Sequence, residues 1–278
     1  MIIDGKKIAQ TLYNNLKNDI EKQGIRPTLA AVLVWENSAS LRYIKQKKKW
    51  ADFVGIDFKL IQLKLNVTQI ELEKTIDELN NNSWIDGYIV QLPLPKHINE
   101  TAIISKIDAR KDVDGFHPEN TWKVLIGDST GFVPCTPAGV MYMFDVMWTE
   151  LSGTKVTIVW RSNIVGKPLA ALLINAGATV TVCNSRTTNL KKHTSSADIV
   201  IMATGQPHLL KLDMVTIGAT IIDVWFTVID GKIYWDADFE LLEKVWNKIT
   251  PVPGWVWALT VAMLMKNTYR AALLQSNK

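Results

Sequence analysis

Apolar residues recur along the first half of the chain at two spacings, one helical and one extended. Ile8, Leu12, Leu16 and Ile20 stand four residues apart and predict a helix that ends at Gly24. The apolar run TLAAVLV that follows predicts a buried strand. Four further elements are predicted in the same way: a helix that begins near Ser38 or Ser40, a strand over 56–65, a helix over 69–80 and a strand over 87–92. Because strand and helix alternate, the expected sheet is parallel.

The second half repeats this alternation after a segment, 115–136, whose Gly, Pro and Asn content predicts irregular structure. A helix over 137–148 is expected to lead into a second domain. Beyond it the pattern predicts strands over 156–159, 179–183, 198–203 and 219–224, helices over 167–176 and near 188–195, and a last helix over 260–274. The expected fold class is α/β, with an N-terminal α/β domain and a C-terminal, Rossmann-like doubly wound domain.

Composition excludes several classes of function but does not identify one. The 278 residues are 47% hydrophobic, which is enough to bury two cores. The net charge of +4 is spread along the chain and predicts no nucleic-acid interface. Cys135 and Cys183 lie far apart, so the expectation is two reduced thiols and no metal site. The first ten residues lack an apolar signal core and the best apolar stretch, 256–265, is half the length of a membrane helix, so a cytoplasmic protein is expected.

The basic run KQKKK contains one lysine that differs from the others. On a helix, Tyr43, Lys47, Trp50 and Val54 share one face, so Lys47 alone points with the apolar stripe. A lysine removed from water loses its proton more readily and can act as an acid or base near neutral pH. The alternative is a lysine whose stem is buried while its amine reaches water.

Two further segments carry polar groups where a ligand could bind. Gln91 interrupts an apolar strand just before a proline turn, a position that suits a ligand contact but also suits a glutamine bonded to nearby backbone. In KDVDGFHP, Asp112 and Asp114 precede Gly115 in a loop. That arrangement is typical either of a simple turn or, more weakly, of a metal site.

The stretch VTIVWRSNIVGKPLAALL, 156–173, predicts a strand, a turn and a helix, the arrangement that binds phosphate in nucleotide folds. The helix is expected to present free backbone N–H groups to an anion. Where an acid would hold the ribose of NAD, the chain has Asn184, Ser185 and Arg186. With Arg161 nearby, these residues favour NADP over NAD. A parallel-sheet domain without a nucleotide is the alternative.

Taken together, the chain resembles the bifunctional methylenetetrahydrofolate dehydrogenase/cyclohydrolase family over nearly its whole length. The segments that carry the resemblance are, in order along the chain, SLRYIKQKKK, DGYIVQLPLP, KDVDGFHP, PCTP, RSNIVGKP and TPVPG. The resemblance implies NADP-linked oxidation of 5,10-methylene- to 5,10-methenyl-tetrahydrofolate, followed by hydrolysis to 10-formyl-tetrahydrofolate. It also implies a cytoplasmic homodimer of one-carbon metabolism and purine biosynthesis.

The same resemblance assigns roles to residues. Lys47 matches the catalytic lysine, Tyr43 the tyrosine against the folate ring, Gln91 the glutamine that tunes the lysine, and Asp114 the carboxylate that anchors the pterin. The remaining substrate-binding residues are Ser40, Pro253 and Gly254. The cofactor-binding residues are Trp160, Arg161, Ser162, Val165, Gly166, Ser185, Arg186, Thr204 and Gly205. The implied domains, which flank a cleft, are a folate-binding catalytic domain over 1–139, with the helix over 260–278 packed back on it, and an NADP-binding domain over 140–259.

Tryptophan replaces the family's glycine in one repeated departure from the pattern. The positions are Trp35, Trp122, Trp160, Trp225, Trp235, Trp255 and Trp257, with Trp148 as an eighth. Overpacking at seven such sites would cost about 1 to 3 kcal/mol each. Two hypotheses follow. In the first, the chain is a relative that cannot bind NADP. In the second, these residues are glycines encoded by UGA, and the codon was translated with a table that gives tryptophan.

Overall fold

The computed structural model describes residues 4–34, 38–230, 232–242, 248–250 and 255–276. In its first part helix and strand alternate as predicted. The elements are α1 (Gly5–Gln23), β1 (Thr28–Val34), α2 (Ser38–Val54), β2 (Asp57–Leu63), α3 (Gln69–Asn81) and β3 (Gly87–Val90). The third strand ends two residues earlier than expected, so Gln91 follows β3 and does not interrupt it.

These three strands form one parallel sheet in the order β2-β1-β3. Every residue of the central strand β1 is buried, which explains its unbroken apolar sequence. Side chains of α3, including Leu72, Ile76 and Leu79, pack with Ala30 and Val32 of β1 in one core. The sheet therefore holds the ends of β1 and β3 rigidly side by side.

The segment expected to be irregular contains a helix, so that part of the prediction is wrong. The segment contains α5 (Pro118–Ile126) and the first residues of α6 (Cys135–Val146), and it is preceded by α4 (Glu100–Lys106), which was not predicted. Only Asn120 and Val124 of α5 are buried, so the helix has almost no apolar periodicity to detect. Tertiary hydrogen bonds replace that signal: the Asn120 amide donates to the carbonyl oxygen of Ala109 and to the Asp112 carboxylate, both at 2.9 Å.

The second part of the chain builds a parallel five-stranded sheet. Its elements are β4 (Lys155–Val159), α7 (Gly166–Asn175), β5 (Thr179–Cys183), α8 (Leu190–Thr194), β6 (Ile199–Met202), a 3-10 turn (Leu212–Met214), β7 (Thr220–Asp223), β8 (Phe226–Ile229), β9 (Lys232–Trp235), α9 (Phe239–Leu242) and β10 (Lys248–Ile249). The strand order is β10-β7-β6-β4-β5. This order reverses between β4 and β6, and a doubly wound sheet binds its ligand at that switch point.

Besides the 3-10 turn, four short elements of this part, β8, β9, α9 and β10, were absent from the prediction, and the last helix was predicted to start too late. The strands β8 and β9 pair antiparallel, and each is only four residues long, which is too short for its periodicity to stand out. The last helix, α10 (Trp255–Ser276), begins five residues before the predicted start at residue 260.

The chain divides into two compact units. The three-stranded unit comprises Gln10–Lys123, Asp128–Cys135 and Val261–Lys278, and the five-stranded unit comprises Met1–Ala9, Val124–Gly127 and Thr136–Thr260. Each unit contains one of the two parallel sheets. Within the described ranges, none of the helices has the length and apolar character needed to span a membrane.

Candidate active site

A lysine–glutamine pair lies at the carboxyl edge of the three-stranded sheet. Lys47 Nζ donates to Gln91 Oε1 at 2.9 Å. The Gln91 main-chain N–H donates to the carbonyl oxygen of Val32 at 2.9 Å, which continues the β3 ladder by one residue. Its side-chain Nε2 donates to the carbonyl oxygen of Leu92, also at 2.9 Å. The bond from the Gln91 side chain to nearby backbone, which was predicted as the alternative to a ligand contact, therefore orients the side-chain amide. The amide oxygen then faces the lysine.

The helical face predicted for Lys47 is confirmed. Lys45, Lys48 and Lys49 are exposed, whereas Lys47 is half-buried and lies one helical turn before the buried Ala51. Burial lowers the pKa of the Lys47 amine, while the Asp114 charge acts in the opposite direction. An amine with a lowered pKa is more often neutral near physiological pH, so it can accept a proton.

Asp114 and Cys135 complete the surroundings of this lysine. Burial raises the pKa of the Asp114 carboxyl, and the Lys47 charge opposes that rise. Burial, and then the Asp114 charge, raise the pKa of the Cys135 thiol well above its usual range, so this cysteine stays protonated. Cys135 is buried at the start of α6, and sequence reasoning identified it only as a reduced thiol. The sequence feature that could have pointed to Cys135 is its position in the PCTP segment, directly before a helix.

The loop that carries Asp114 is a turn organised by Asp112. The buried Asp112 carboxylate accepts hydrogen bonds from the main-chain N–H groups of Gly115, at 3.1 Å, and His117, at 2.7 Å. Gly115 has φ +75°, and a Cβ there would lie 2.6 Å from the main-chain nitrogen of Pro134. Glycine thus lets this loop approach the PCTP segment. Among the described residues no group of three or more His, Cys, Asp and Glu side chains could hold a metal ion.

Lys111, which sequence reasoning did not single out, fastens the same loop to the sheet. Its buried side chain donates to the carbonyl oxygens of Leu79 at 3.0 Å and Asn82 at 2.7 Å. Its own carbonyl accepts the N–H of Tyr88 in β3 at 2.9 Å. Asp114 is therefore held at the sheet edge that also carries Gln91.

The other predicted substrate-binding residues are only partly within the described chain. Tyr43 is half-buried one helical turn before Lys47, and burial raises the pKa of its hydroxyl, with the Arg42 charge opposing. The side chain of Ser40, and the whole of Pro253 and Gly254, lie outside the described residues. Their roles stay predictions.

In the five-stranded unit, the predicted free N–H groups at the start of α7 are not free. Ser162 Oγ accepts from the N–H groups of Val165 at 3.2 Å and Gly166 at 3.4 Å, and the Ser162 carbonyl accepts from Lys167 at 3.0 Å. Pro168, the next residue, has no N–H. The expectation that this helix end presents its backbone to an anion is wrong, because the loop has already bonded those donors.

Side chains provide the positive charge at this edge instead. Arg161 follows β4 and Arg186 follows β5, the two strands are hydrogen-bonded neighbours, and both arginines are exposed. Each guanidinium can form a two-pronged hydrogen bond to a phosphate. The turn after β5, 184–188, contains no acid that would repel such a phosphate. These residues fit the 2′-phosphate of NADP.

A cavity of about 240 Å³ opens at the same edge, lined by Trp160 after β4, Ser185 after β5 and Thr204 after β6. Beside it, the buried carboxylate of Asp236 accepts hydrogen bonds from the N–H groups of Thr204 and Gly205. Asp236 thereby fixes the turn that sequence comparison assigned to the cofactor, and no motif in the sequence predicted that role. The cavity is smaller than the roughly 300 to 1,000 Å³ of most ligand sites.

Trp160 occupies an unusual conformation in this cavity wall. Its φ is +153°, a range that favours glycine, and its side chain is 37% exposed. Gly166 closes the loop behind it, since a Cβ there would lie 2.0 Å from the Trp160 carbonyl oxygen. The arginines thus fit NADP, while the Trp160 indole takes up part of the space beside them.

A doubly wound sheet with two arginines at its carboxyl edge, in a chain that also holds a half-buried lysine hydrogen-bonded to a glutamine, is typical of a nucleotide-dependent α/β enzyme. Two family sequence profiles match: the tetrahydrofolate dehydrogenase/cyclohydrolase catalytic domain over residues 3–114, and the NAD(P)-binding domain of the same enzymes over residues 134–276. The chain belongs to the tetrahydrofolate dehydrogenase/cyclohydrolase family.

Individual relatives agree with this assignment. The bifunctional protein FolD of Bacillus pumilus is 46% identical over 98% of this chain and 97% of its own length. The crystal structure of the bifunctional FolD enzyme of Campylobacter jejuni, 42% identical, superposes with a TM-score of 0.96 over 99% of both chains. The Trypanosoma brucei FolD enzyme, solved with NADP and an inhibitor, is 33% identical with a TM-score of 0.95 over 100% of this chain and 99% of its own.

Proposed function

We propose that this chain catalyses the NADP-dependent oxidation of 5,10-methylene-tetrahydrofolate to 5,10-methenyl-tetrahydrofolate and the hydrolysis of that product to 10-formyl-tetrahydrofolate. Family membership supports the reaction, and the FolD relatives are bifunctional dehydrogenase/cyclohydrolases. The observation that carries the assignment to this site is the 2.9 Å hydrogen bond from Lys47 to Gln91.

The hydrolysis step needs a base beside a cationic carbon. Neutral Lys47 accepts a proton from the attacking water while the water oxygen bonds to the methenyl carbon, and the same proton is then available to the ring nitrogen that leaves. Gln91 Oε1 accepts one amine N–H, so the lysine lone pair is turned away from the glutamine. Burial lowers the pKa of the lysine and so favours its neutral form, which avoids placing one cation against another.

In the proposed oxidation, the protein binds and orients both reactants. A bound NADP⁺ would supply the acceptor for the hydride of the methylene carbon. Arg161 and Arg186 would hold its 2′-phosphate. Ser162, Val165, Gly166, Ser185, Thr204 and Gly205 contribute the remaining contacts with the cofactor around Trp160. On the folate side, Asp114 accepts hydrogen bonds from the pterin and Tyr43 lies against its ring, while Ser40, Pro253 and Gly254 form the rest of the folate site.

The domain roles are also part of the proposal. Residues 1–139 with the helix over 260–278 form the folate-binding catalytic domain, and residues 140–259 form the NADP-binding domain. The two compact units support this division in outline. The proposed protein is a cytoplasmic homodimer that needs no nucleic acid or membrane partner and supplies one-carbon units, including those for purine biosynthesis.

Replacing Lys47 tests the assignment. Lys47→Met keeps an apolar stem of similar length but no base, so hydrolysis of methenyl-tetrahydrofolate is expected to fall by roughly 100- to 10,000-fold. Circular dichroism should be unchanged. Lys45→Met, two positions earlier on the exposed face of α2, is the matched control and should keep full activity. Full hydrolysis by the Lys47→Met variant would remove this lysine from the mechanism.

A second candidate function rests on Trp160. Because its indole lines the cofactor cavity, the chain as written could be a folded relative with impaired NADP binding. The test compares NADP dissociation constants of this chain and of a version with glycine at the seven tryptophan positions. Tight binding only by the glycine version favours the impaired relative. Binding by neither version would contradict the NADP assignment.

A further inference from the structure

Asn267, in the last helix, joins two segments of the active-site loop region through one side-chain amide. Its Nδ2 donates to the carbonyl oxygen of Val113 at 2.9 Å and to that of Val133 at 3.1 Å. The same nitrogen lies 3.7 Å from Cys135 Sγ. The residue is 9% exposed, so these bonds are made away from bulk water. One buried amide thus holds together two main-chain positions, Val113 and Val133, that are twenty residues apart in the sequence.

The carbonyl of Val113 belongs to the peptide unit whose N–H is that of Asp114. Because the peptide is planar, fixing the direction of this carbonyl also fixes the plane from which the Asp114 side chain departs. Cys135 Sγ donates to the same carbonyl at 3.4 Å. Asn267 and Cys135 therefore converge on one oxygen atom directly behind the residue proposed to anchor the pterin.

We propose that Asn267 is a positioning residue for folate binding: its amide holds the peptide before Asp114 and the segment leading into Cys135 in the arrangement that Asp114 needs to bind the pterin. The inference rests on the proposed role of Asp114. It assigns a function to the last helix, which carries none of the residues identified from the motifs. The amide does not touch substrate, so its effect is transmitted through Asp114.

Arg270 supplies a matched comparison on the same helix, three residues further on. Its guanidinium donates to the carbonyl oxygens of Gly131, Ser129 and Thr130 at 2.8, 2.7 and 2.9 Å. It also stacks 5.2 Å from the centre of the Phe132 ring. Arg270 thus anchors the same helix to the same loop, but none of these bonds reaches the Val113 peptide or Cys135. Loss of helix anchoring and loss of Asp114 positioning can therefore be separated.

The experiment measures the dissociation constant of tetrahydrofolate by isothermal titration calorimetry for the full chain and for Asn267→Ala, Arg270→Met and Asp114→Ala. Asn267→Ala is expected to weaken binding about ten-fold, and Arg270→Met less than two-fold, even where both variants lower the melting temperature equally. In an Asp114→Ala background, Asn267→Ala is expected to weaken binding by less than a further two-fold, because a residue that acts through Asp114 has no target left. In the dehydrogenase assay, Asn267→Ala should raise KM for methylene-tetrahydrofolate more than it lowers kcat.

Three results would overturn the inference. They are unchanged tetrahydrofolate binding by Asn267→Ala, an equal loss in Arg270→Met, or an undiminished ten-fold loss in the Asp114→Ala background. Normal binding by Asp114→Ala itself would instead overturn the proposed role of Asp114, and this inference with it. If Asn267→Ala does not fold, Asn267→Ser, which keeps a shorter donor, is measured against the same criteria.

Discussion

The surroundings of Lys47, including its hydrogen bond to Gln91, give its amine properties that the neighbouring lysines lack. Four of the five residues in KQKKK face water, and the fifth is half-buried with its amine on an amide oxygen. Burial lowers the pKa of that amine, and the Asp114 charge partly restores it. The balance between these two effects would set the pH range in which the lysine can act as the proposed base.

Removing the Asp114 charge should therefore shift the pKa of Lys47 in a known direction. In Asp114→Asn the pKa of Lys47 falls further, because the charge that raises it is gone. Hydrolysis requires the neutral amine, so the ascending limb of kcat against pH should move to lower pH. Asp52→Asn is the control, since Asp52 pairs with the exposed Lys48 on the same helix. A limb that stays in place or moves to higher pH would contradict the proposed link between Asp114 and Lys47.

The tryptophans at glycine positions differ from one another once their surroundings are known. Trp122 is 59% exposed and Trp225 50%, so the overpacking expected at the seven sites is wrong for these two. Trp148, the eighth position, is 94% exposed. Trp235 is buried and remains a candidate for that cost. For Trp148 the strain lies in the backbone, because its φ is +51°. It stands just past the end of α6, where left-handed glycine is the usual terminator.

Trp148→Gly is therefore expected to stabilise the protein by about 1 to 2 kcal/mol, the cost of a left-handed side-chain-bearing residue. The free energy of unfolding in urea measures this. Trp84→Gly is the control, because Trp84 is 80% exposed but has no positive φ. It should be neutral or slightly destabilising, since glycine adds freedom to the unfolded chain. Equal effects of the two changes would contradict the backbone explanation.

At the scale of elements, two buried carboxyl groups lie at strand ends: Asp223 is the last residue of β7 and Asp236 directly follows β9. Asp223 Oδ2 accepts the N–H of Ala237 at 2.8 Å, and Asp236 accepts those of Thr204 and Gly205. These bonds join the hairpin to the sheet beside the cofactor cavity. Burial, and then the Asp236 charge, raise the pKa of Asp223 well above its usual range.

This shift gives the stability of the five-stranded unit a pH dependence. A folded pKa raised above the unfolded value means that the native state holds its proton longer, so Asp223 contributes less stability as pH rises through its folded pKa. Asp223→Asn should remove that decline, and thermal unfolding between pH 4 and 8 should show a flatter profile. Asp213→Asn is the control and should leave the decline in place, because Lys191 lowers the pKa of Asp213 and its titration therefore lies below this pH range. A decline unchanged in Asp223→Asn would exclude this carboxyl as its source.

At the scale of the whole chain, the tryptophan pattern has one common test. If these residues are glycines encoded by UGA, the coding DNA reads TGA at the seven positions and at Trp148. Trp50 should read TGG, since it stacks on Tyr13 with ring centres 4.0 Å apart and planes within 1°. TGG at the seven positions would contradict the codon hypothesis. Trp160 would then be a genuine tryptophan in the wall of the cofactor cavity.

Prediction from sequence succeeded where one residue pattern decides the outcome locally. The strand β1 was predicted with its observed bounds because all seven residues are buried, and the face of Lys47 followed from helical geometry. It failed for α5, which has little apolar periodicity and whose Asn120 bonds to Ala109 and Asp112 outside the helix. It also failed for the N–H groups at the start of α7, where Ser162 and Pro168 leave no free donor.

The sequence by itself determined the α/β class, most of the helices and strands, the family and the face of α2 on which Lys47 lies, because periodicity and motif spacing are properties of the chain alone. Only the tertiary structure decided which polar groups meet: Gln91 with Lys47, Asp236 with the Thr204 turn, and Asn267 with the peptide before Asp114. Those contacts join residues separated by 44, 32 and 154 positions. Distances of that kind are set by the packing of sheets and helices, and local sequence carries no record of them.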